Sequence, residues 1–345
     1  MNALNSVGFD DWFKFAAGDS YSVDPWLSFS KAYSAPRRKT PARLRSIIDL
    51  FIRQKAVDQN VIKHSLGNSV VSLLKRYEVL ELGSNNQLSS RFCLLHSFGM
   101  YLFAEWPVST QFGRLISRET YLSNSSYETG CEIQKRSAVN MALDLGCGCG
   151  ITTMLLSRIA KATIAIDIDS AAVNQTKLNL AVNDREAEVS HCDWNNLGLS
   201  NAKFDFINAN PPWRIVPPSV NYPNPVARAG KGHDGLDYVR QIFAVISKFL
   251  APQGEAIVRF DLPQGIPEAE DLLSHPERIL GAGFAIRPMI LGFVSYEDQA
   301  RVSAGVCGHL NPNVAELSEI FLRYYQRLNV KGLVNLMCVV QNHNR

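Results

Sequence analysis

The sequence predicts an α/β fold, a parallel sheet with helices on its faces, preceded by a smaller module. Three observations carry this. From Met141 onward short apolar runs alternate with helical patterns, the signature of a parallel sheet built from crossover units. Before about residue 115 the texture is different, with helices followed by short β-type runs. And one apolar run, FDFINANPPW (204–213), ends on an asparagine, two prolines and a tryptophan, residues unsuited to continuing a strand.

In the first part, PARLRSIIDLFIRQKAV (41–57) places Leu44, Ile47, Ile48 and Phe51 at helical spacing behind a proline suited to a helix start. A shorter helix is expected near Val61 to Ser65, ended by Gly67. A third, NSVVSLLKRYEVL, leads into two β-type runs around the turn GSNN, the second being RFCLLHSFGMYLFAEW. Helices followed by a small β wing look like a winged-helix module. As a DNA reader its third helix offers mainly Lys75 and Arg76, too few groups for base and phosphate contact, so substrate capping or dimerisation is the expected use. The basic run PRRKTPARLR (36–45) reads as a solvated linker and the first turn of a helix. The expected domains are residues 1–115 and 116–345.

In the second part MALDL, ATIAID, EAEVSHCD, FDFINAN and EAIVRF read as successive strands, with ITTMLLSRIAK, SAAVNQTKLNLAVN and LDYVRQIFAVISKFL as helices between them. AIRPMILGFVSY and GLVNLMCVVQN are expected as a final antiparallel pair, with VAELSEIFLRYYQRL a helix before the last strand. EDQARVSAGVCGH between them reads as a lid or a passive loop.

Composition narrows the class. With 46% hydrophobic and 19% charged residues over 345 positions the chain is globular, and 35 basic against 32 acidic side chains, net +3, demand no polyanionic partner. The start, MNALNSVGFDDWFKFAAGDS, carries acids where a signal peptide needs a basic stretch and an apolar one, and no segment approaches the apolar length of a membrane span. A soluble, cytoplasmic protein is expected. Seven scattered cysteines fit reduced thiols, and the C-x-C of Cys147 and Cys149 lacks a nearby second pair to complete a zinc site.

In parallel sheets ligands lie beyond the carboxyl ends of the strands. The first strand ends in Asp144-Leu145-Gly146-Cys147-Gly148-Cys149-Gly150. The glycines permit positive φ and close approach of the backbone to a ligand. Their spacing departs from the dinucleotide fingerprint, and an acid before the first glycine repels a pyrophosphate but suits an ammonium or sulfonium. The second strand ends at Asp167, a carboxylate able to accept both hydroxyls of a ribose, with Asp169 or Ser170 as a helix cap. The third ends in Asp193-Trp194, an acid and an aromatic suited to an adenine.

In this order, at these strand ends, the features resemble the class I S-adenosylmethionine-dependent methyltransferases over roughly residues 115 to 345. The resemblance implies a Rossmann-like seven-stranded sheet, with S-adenosyl-L-methionine as cofactor and S-adenosyl-L-homocysteine as product. It places Asp144 and Gly146, Cys147, Gly148 and Gly150 at the methionine portion, Asp167 with Ile168 at the ribose, and Asp193 with Trp194 at the adenine. Asn210 closes the cofactor set.

NPPW then stands where the methyl group would be. The nitrogen of an amide or a nucleobase amine is a poor nucleophile because its lone pair is delocalised. Two acceptors, the Asn210 side-chain oxygen and the Pro211 carbonyl, can take both N–H hydrogens and turn the lone pair toward the methyl, with Pro212 as a stiffener and Trp213 as a stacking wall. N/D-P-P-Y/F/W occurs in methyltransferases acting on adenine in DNA, guanine in ribosomal RNA and glutamine in release factors. GKGHDGLDYVRQIFAVISKFLAPQGEAIV (230–258) is similar to the stretch that follows this tetrapeptide in the release-factor glutamine methyltransferases, matching at Asp234, Gly235 and Leu236.

Three departures set the chain apart: Trp213 in place of tyrosine, only Arg118-Glu119-Thr120 of a PRPET-like element, and a winged-helix-like module in place of an all-helical one. The combination looks like a branch acting on a small molecule, an amino-acid derivative or a protein glutamine. An exocyclic amine of RNA or DNA is the alternative, and a non-catalytic cofactor-binding regulator is a second one. Tyr222, His233 and Arg259 are the candidate acceptor-pocket residues, with His233 reading first as a solvent-facing loop residue.

Overall fold

The structure, a computed structural model, describes residues 2–18, 25–35, 40–106, 108–109, 115–116, 122–199, 202–222, 229–307 and 313–344. The Arg118-Glu119-Thr120 fragment lies outside them. The chain opens with helices α1 (Asn2–Ser6), α2 (Phe9–Ala17), α3 (Pro25–Ser34) and α4 (Ala42–Phe51). Strand β1 (Val57–Asp58) follows, then α5 (Gln59–Leu66) and α6 (Asn68–Arg76), then β2 (Leu80–Leu82) and β3 (Gln87–Ser90). These three strands pair antiparallel in the order β1-β3-β2. Asp58 caps α5 through the amides of Asn60 and Val61, and Gly67 at φ 86 turns the chain between α5 and α6.

The sequence reads RFCLLHSFGMYLFAEW as one β-type run. It folds into a hairpin, β4 (Phe92–Ser97) and β5 (Met100–Glu105), separate from the sheet of β3. Phe98 and Gly99 both take positive φ, 54° and 71°, the two-residue turn geometry that matches the twist of the strands it joins. Short strands β6 (Val108–Ser109) and β7 (Leu115–Ile116) pair with each other.

Helix α7 (Asn124–Ile133) leads into the main sheet: β8 (Val139–Leu145), α8 (Ile151–Ile159), β9 (Ala160–Asp167), α9 (Ser170–Val182), β10 (Glu188–His191), β11 (Phe204–Ala209), α10 (Asp237–Phe249) and β12 (Leu250–Gln264). Helices α11 (Pro267–Ser274) and α12 (Glu277–Leu280), strand β13 (Phe284–Ser295), helices α13 (Tyr296–Cys307) and α14 (Val314–Arg327), and strand β14 (Gly332–Asn342) complete it. The seven strands lie in the order β10-β9-β8-β11-β12-β14-β13, a Rossmann-like sheet. Strands β10 to β12 are mutually parallel, and β14 runs antiparallel between β12 and β13. The order reverses between β8 and β11, so the crevice for a ligand opens beyond Leu145 and Ala209.

On the far side of that crevice the sheet does not stop. Val258 of β12 lies opposite Ala209, yet β12 continues to Gln264, paired with Gly332, which pairs in turn with Ser295. Six further residues of strand, about 20 Å at 3.3 Å each, stand as a wall past the carboxyl ends. The segment after β13 reads in sequence as a lid or loop. Its described part is helix α13, which buries Gln299, Ala300, Ser303 and Ala304.

The front module is not set apart from the sheet. One hydrophobic core runs from Phe9, Phe13, Ile47 and Phe51 through Leu94, Leu95 and Phe103 to Met154, Leu155 and Val173 on α8 and α9. Within it α9 presents a stripe of buried amides to the hairpin. Asn183 accepts from the Tyr101 amide at 2.8 Å and donates to its carbonyl at 2.6 Å. Asn179 does the same for Phe103 at 2.8 and 2.9 Å, and Gln175 donates to the same carbonyl at 2.8 Å. Residues four apart on a helix thus stand in for a neighbouring strand, meeting alternate residues of β5. Among the described residues no helix is long and apolar enough to cross a membrane.

Replacing Asn179 with Ala leaves the Phe103 amide without a partner inside the core and its carbonyl with Gln175 alone. A loss of about 2 kcal/mol in unfolding free energy is expected, since an unmet buried group costs about 1–3 kcal/mol. Urea denaturation of the full chain measures it, with Asn195→Ala, at an exposed site, as the control.

Candidate active site

The glycine loop between β8 and α8 is shaped by what surrounds it. Gly146, Gly148 and Gly150 all take positive φ, at 80°, 54° and 84°. A Cβ on Gly150 would meet the Cα of Thr176 at 2.9 Å, so the third glycine lets α8 pack on α9. A Cβ on Gly146 would meet nothing within 4 Å: the loop faces open space there. The amides of Gly146 and Cys147 donate to the Ile166 carbonyl at 2.9 Å, tying the loop to the next strand. The Cys147 and Cys149 thiols are buried and pushed up by that burial, which leaves them as packing groups.

Asp144 corrects its sequence assignment. Its side chain is 0% exposed. One oxygen accepts from the hydroxyls of Thr152 at 2.9 Å and Thr153 at 2.5 Å, and the other from the Asn208 amide at 2.8 Å. It therefore holds the loop, α8 and β11 together and offers no surface to a ligand's ammonium. Burial raises its carboxyl, and the three donors act in the opposite direction.

Asp167 has one oxygen on the Gly148 amide and the other on the Asp169 amide, both at 2.9 Å. Burial raises it, with the two amides opposing. Half-buried at the strand end, it links the glycine loop to the crevice and retains lone pairs for a diol. Beside it Ile168 is 50% exposed, an apolar side chain left open at a strand end. Asp193 accepts from the Asn195 backbone and side chain at 2.8 and 3.0 Å. The half-buried Trp194 gives its indole N–H to Gln241 at 3.0 Å and meets Tyr238 edge-on.

Across the crevice, Asn210 donates through Nδ2 to the Ser125 hydroxyl at 3.0 Å. Among the described residues no protein donor reaches Asn210 Oδ1 or the Pro211 carbonyl. The backbone after them is clamped by the GKGHDG loop. The Gly230 amide donates to the Arg214 carbonyl at 2.9 Å, and Cβ atoms on Gly230 or Gly235 would lie 2.8 and 2.5 Å from the Trp213 carbonyl group. Asp234, fully buried, accepts from the Leu236 amide and pairs with Arg240, which outweighs burial and holds its carboxyl below the usual range. Trp213 is half-buried, with the Arg214 guanidinium 5.1 Å from its ring centre.

The three candidate acceptor-pocket residues differ in their surroundings. Tyr222 is 3% exposed and packs edge-on against Phe321 in the core. His233 sits on the outside of its loop, 3.6 Å from Glu268. Arg259 is 5% exposed, bonded to Glu128 at 2.9 Å and Asp261 at 2.6 Å; burial works against its charge and the two acids outweigh it. Its role is to seat α7 against β12.

Residues 131–219 match the family model described as Methyltransferase small domain. Over this stretch the chain is similar to methyltransferase domains. It is 28% identical over 134 residues to the release factor glutamine methyltransferase of Thermosynechococcus vestitus (strain NIES-2133 / IAM M-273 / BP-1), a match spanning 36% of this chain and 46% of that protein. The match thus takes in less than half the relative's length. Among solved structures it is similar to the N-methyltransferase NodS from Bradyrhizobium japonicum WM9 in complex with S-adenosyl-L-homocysteine, at 14% identity and TM-score 0.37, covering 63% of this chain and 87% of that one. It is also similar to YcgJ from Bacillus subtilis, at 14% identity and TM-score 0.41, covering 63% and 96%.

The residues fit S-adenosyl-L-methionine, the cofactor that the sequence resemblance implies. The space before Gly146 is the cradle that a Cβ would fill, half-buried Asp167 keeps lone pairs that a diol can use, and Ile168 offers an exposed apolar side chain. Sequence reading missed Thr152, Thr153, Asn208 and Ser125. The signal for Asn208 was present, since a polar residue inside a buried strand must find a partner.

Two outcomes follow. Asp167→Ala removes acceptors from the diol position and frees the Gly148 amide, and is expected to weaken S-adenosyl-L-homocysteine binding by about 10- to 100-fold, in line with about 1.5–3 kcal/mol for a hydrogen bond to a charged group; titration calorimetry measures it. For Asp144 the folded carboxyl titrates above its unfolded value, so its contribution to stability is fully present below the unfolded pKa and is lost as pH rises through the folded one. Wild type should therefore lose stability relative to Asp144→Asn over that rise, and a pH series of melting temperatures for both proteins reads the gap.

Proposed function

We propose that the protein transfers the methyl group of S-adenosylmethionine to a nitrogen in a planar group, an amide or an amine, of a small molecule, an amino-acid derivative or a protein glutamine. The observation that carries the reading is the pair of acceptors at the end of β11: Asn210 Oδ1 and the Pro211 carbonyl have no protein donor among the described residues, while Asn210 Nδ2 is engaged by Ser125. An acceptor nitrogen with two N–H bonds satisfies both. Giving them up to hydrogen bonding localises its lone pair.

The bound cofactor supplies an electrophilic methyl on a sulfonium. The chain's own residues supply position. Asp167 and the glycine loop fix the donor end, Asn210 and Pro211 the nitrogen, and Trp213 a flat surface for the group that carries it. The N–H proton leaves after transfer, when the methylated nitrogen is acidic, so no strong base is required. The curated relative is named for glutamine methylation, which supports a carboxamide as the first acceptor to try.

Asn210→Ala is expected to lower kcat by about 100-fold or more, a typical loss for a donor or acceptor acting on the transition state, while leaving S-adenosyl-L-homocysteine affinity within about threefold. Unchanged turnover in a methyl-transfer assay would sink the mechanism.

A further inference from the structure

We propose that Ser125 is a positioning residue that sets which end of the Asn210 carboxamide faces the acceptor. The inference rests on the reading of the protein as a nitrogen methyltransferase and concerns how that site is oriented.

A carboxamide has two ends of nearly equal shape and opposite function. With Oδ1 toward the acceptor, Asn210 takes an N–H; with Nδ2 there, it presents two N–H bonds to a group that also carries N–H bonds. The difference between a working and a repelling site is thus a rotation of 180° about one bond. In this fold the Nδ2 end is claimed by helix α7. It donates to Ser125 Oγ at 3.0 Å, with Ser126 Oγ at 3.5 Å behind it. Ser125 Oγ lies 2.5 Å from Ser123 Oγ, the helix cap, which also accepts from the Ser126 amide at 3.1 Å. A chain of hydrogen bonds therefore runs from Asn210 through Ser125 to Ser123, in which the Ser125 hydroxyl accepts from Asn210 and has Ser123 as its other partner.

The helix that carries Ser125 is fixed from three directions. Glu128, one turn on, pairs with Arg259 at 2.9 Å. Tyr127 stacks on Phe98 with ring centres 4.8 Å apart. A Cβ on Gly130 would meet Leu155 and Phe98 at 2.8 Å, which marks how closely α7 lies on α8 and the hairpin. Ser125 therefore stands on a rigid support, as an orienting group must.

The test has an arm that does not need the acceptor to be known. In amide-resolved NMR of the full chain, the Asn210 Nδ2 protons, assigned by their loss in Asn210→Asp, are expected to exchange with solvent about five- to tenfold faster in Ser125→Ala than in wild type, the ratio for a hydrogen bond of about 1 kcal/mol; Ser125→Thr should recover the slow rate. The second arm uses a glutamine-containing peptide and labelled S-adenosylmethionine. Ser125→Ala should lower kcat by about tenfold with KM for S-adenosylmethionine changed less than about twofold, Ser125→Thr should recover most of the loss, and in the Asn210→Asp background, where both ends accept, Ser125→Ala should cost under about twofold. Equal losses in both backgrounds, or Nδ2 protons that exchange equally fast in wild type and Ser125→Ala, would overturn the proposal. If wild type methylates no peptide, the acceptor reading fails separately, and the exchange rates alone decide for or against Ser125.

Discussion

A single buried carboxylate joins the parts on which the site depends. Asp144 ends β8, and its two oxygens take hydroxyls from Thr152 and Thr153 at the start of α8 and the amide of Asn208 on β11. Loop, helix and neighbouring strand are thereby brought to one point without using solvent. The glycine loop is held on its other flank by Asp167 and the Ile166 carbonyl, and the register of β11 against β8 carries Asn210 to the rim. A buried charge is costly unless its lone pairs are met, so this cluster is tolerated because three donors converge on it. The acid that reads in sequence as a ligand contact thus acts one layer below the ligand.

The sheet was legible because it is written in short-range patterns. Apolar runs of strand length, glycines at the first strand end and acids at the next two mark the elements and the rim on which a ligand lies, and the strands fall in the order that a crevice at β8 and β11 requires. The order of acids and glycines marks the strand ends where backbone direction decides it, as at Asp167 and Asn210. Where side-chain packing decides, sequence failed. Tyr222 and Arg259 carry polar groups suited to a pocket, yet one sits against Phe321 and the other between Glu128 and Asp261. Ser125 lies 85 positions from Asn210 in the chain, and no local pattern announces such a pair.

The same distinction explains the front module. Its helix order was readable from spacing, but the folding of RFCLLHSFGMYLFAEW into a hairpin depends on two residues at positive φ, one of them phenylalanine. Nor could spacing reveal that Gln175, Asn179 and Asn183 form one stripe for a purpose. Amides on a helix usually face water; here they replace a strand's hydrogen bonds for β5.

That stripe has a further side. Asn179 also donates to the Cys149 carbonyl, and Thr176, between the amides, donates to the Gly148 carbonyl. The helix that grips the hairpin therefore grips the glycine loop with neighbouring side chains. The two parts of the chain are not cassettes to be recombined with other partners. A front module drawn from a different lineage would have to bring its own strand edge, matched at alternate residues to three amides, before the loop behind them could keep its shape, so in descent the two halves are bound to drift together.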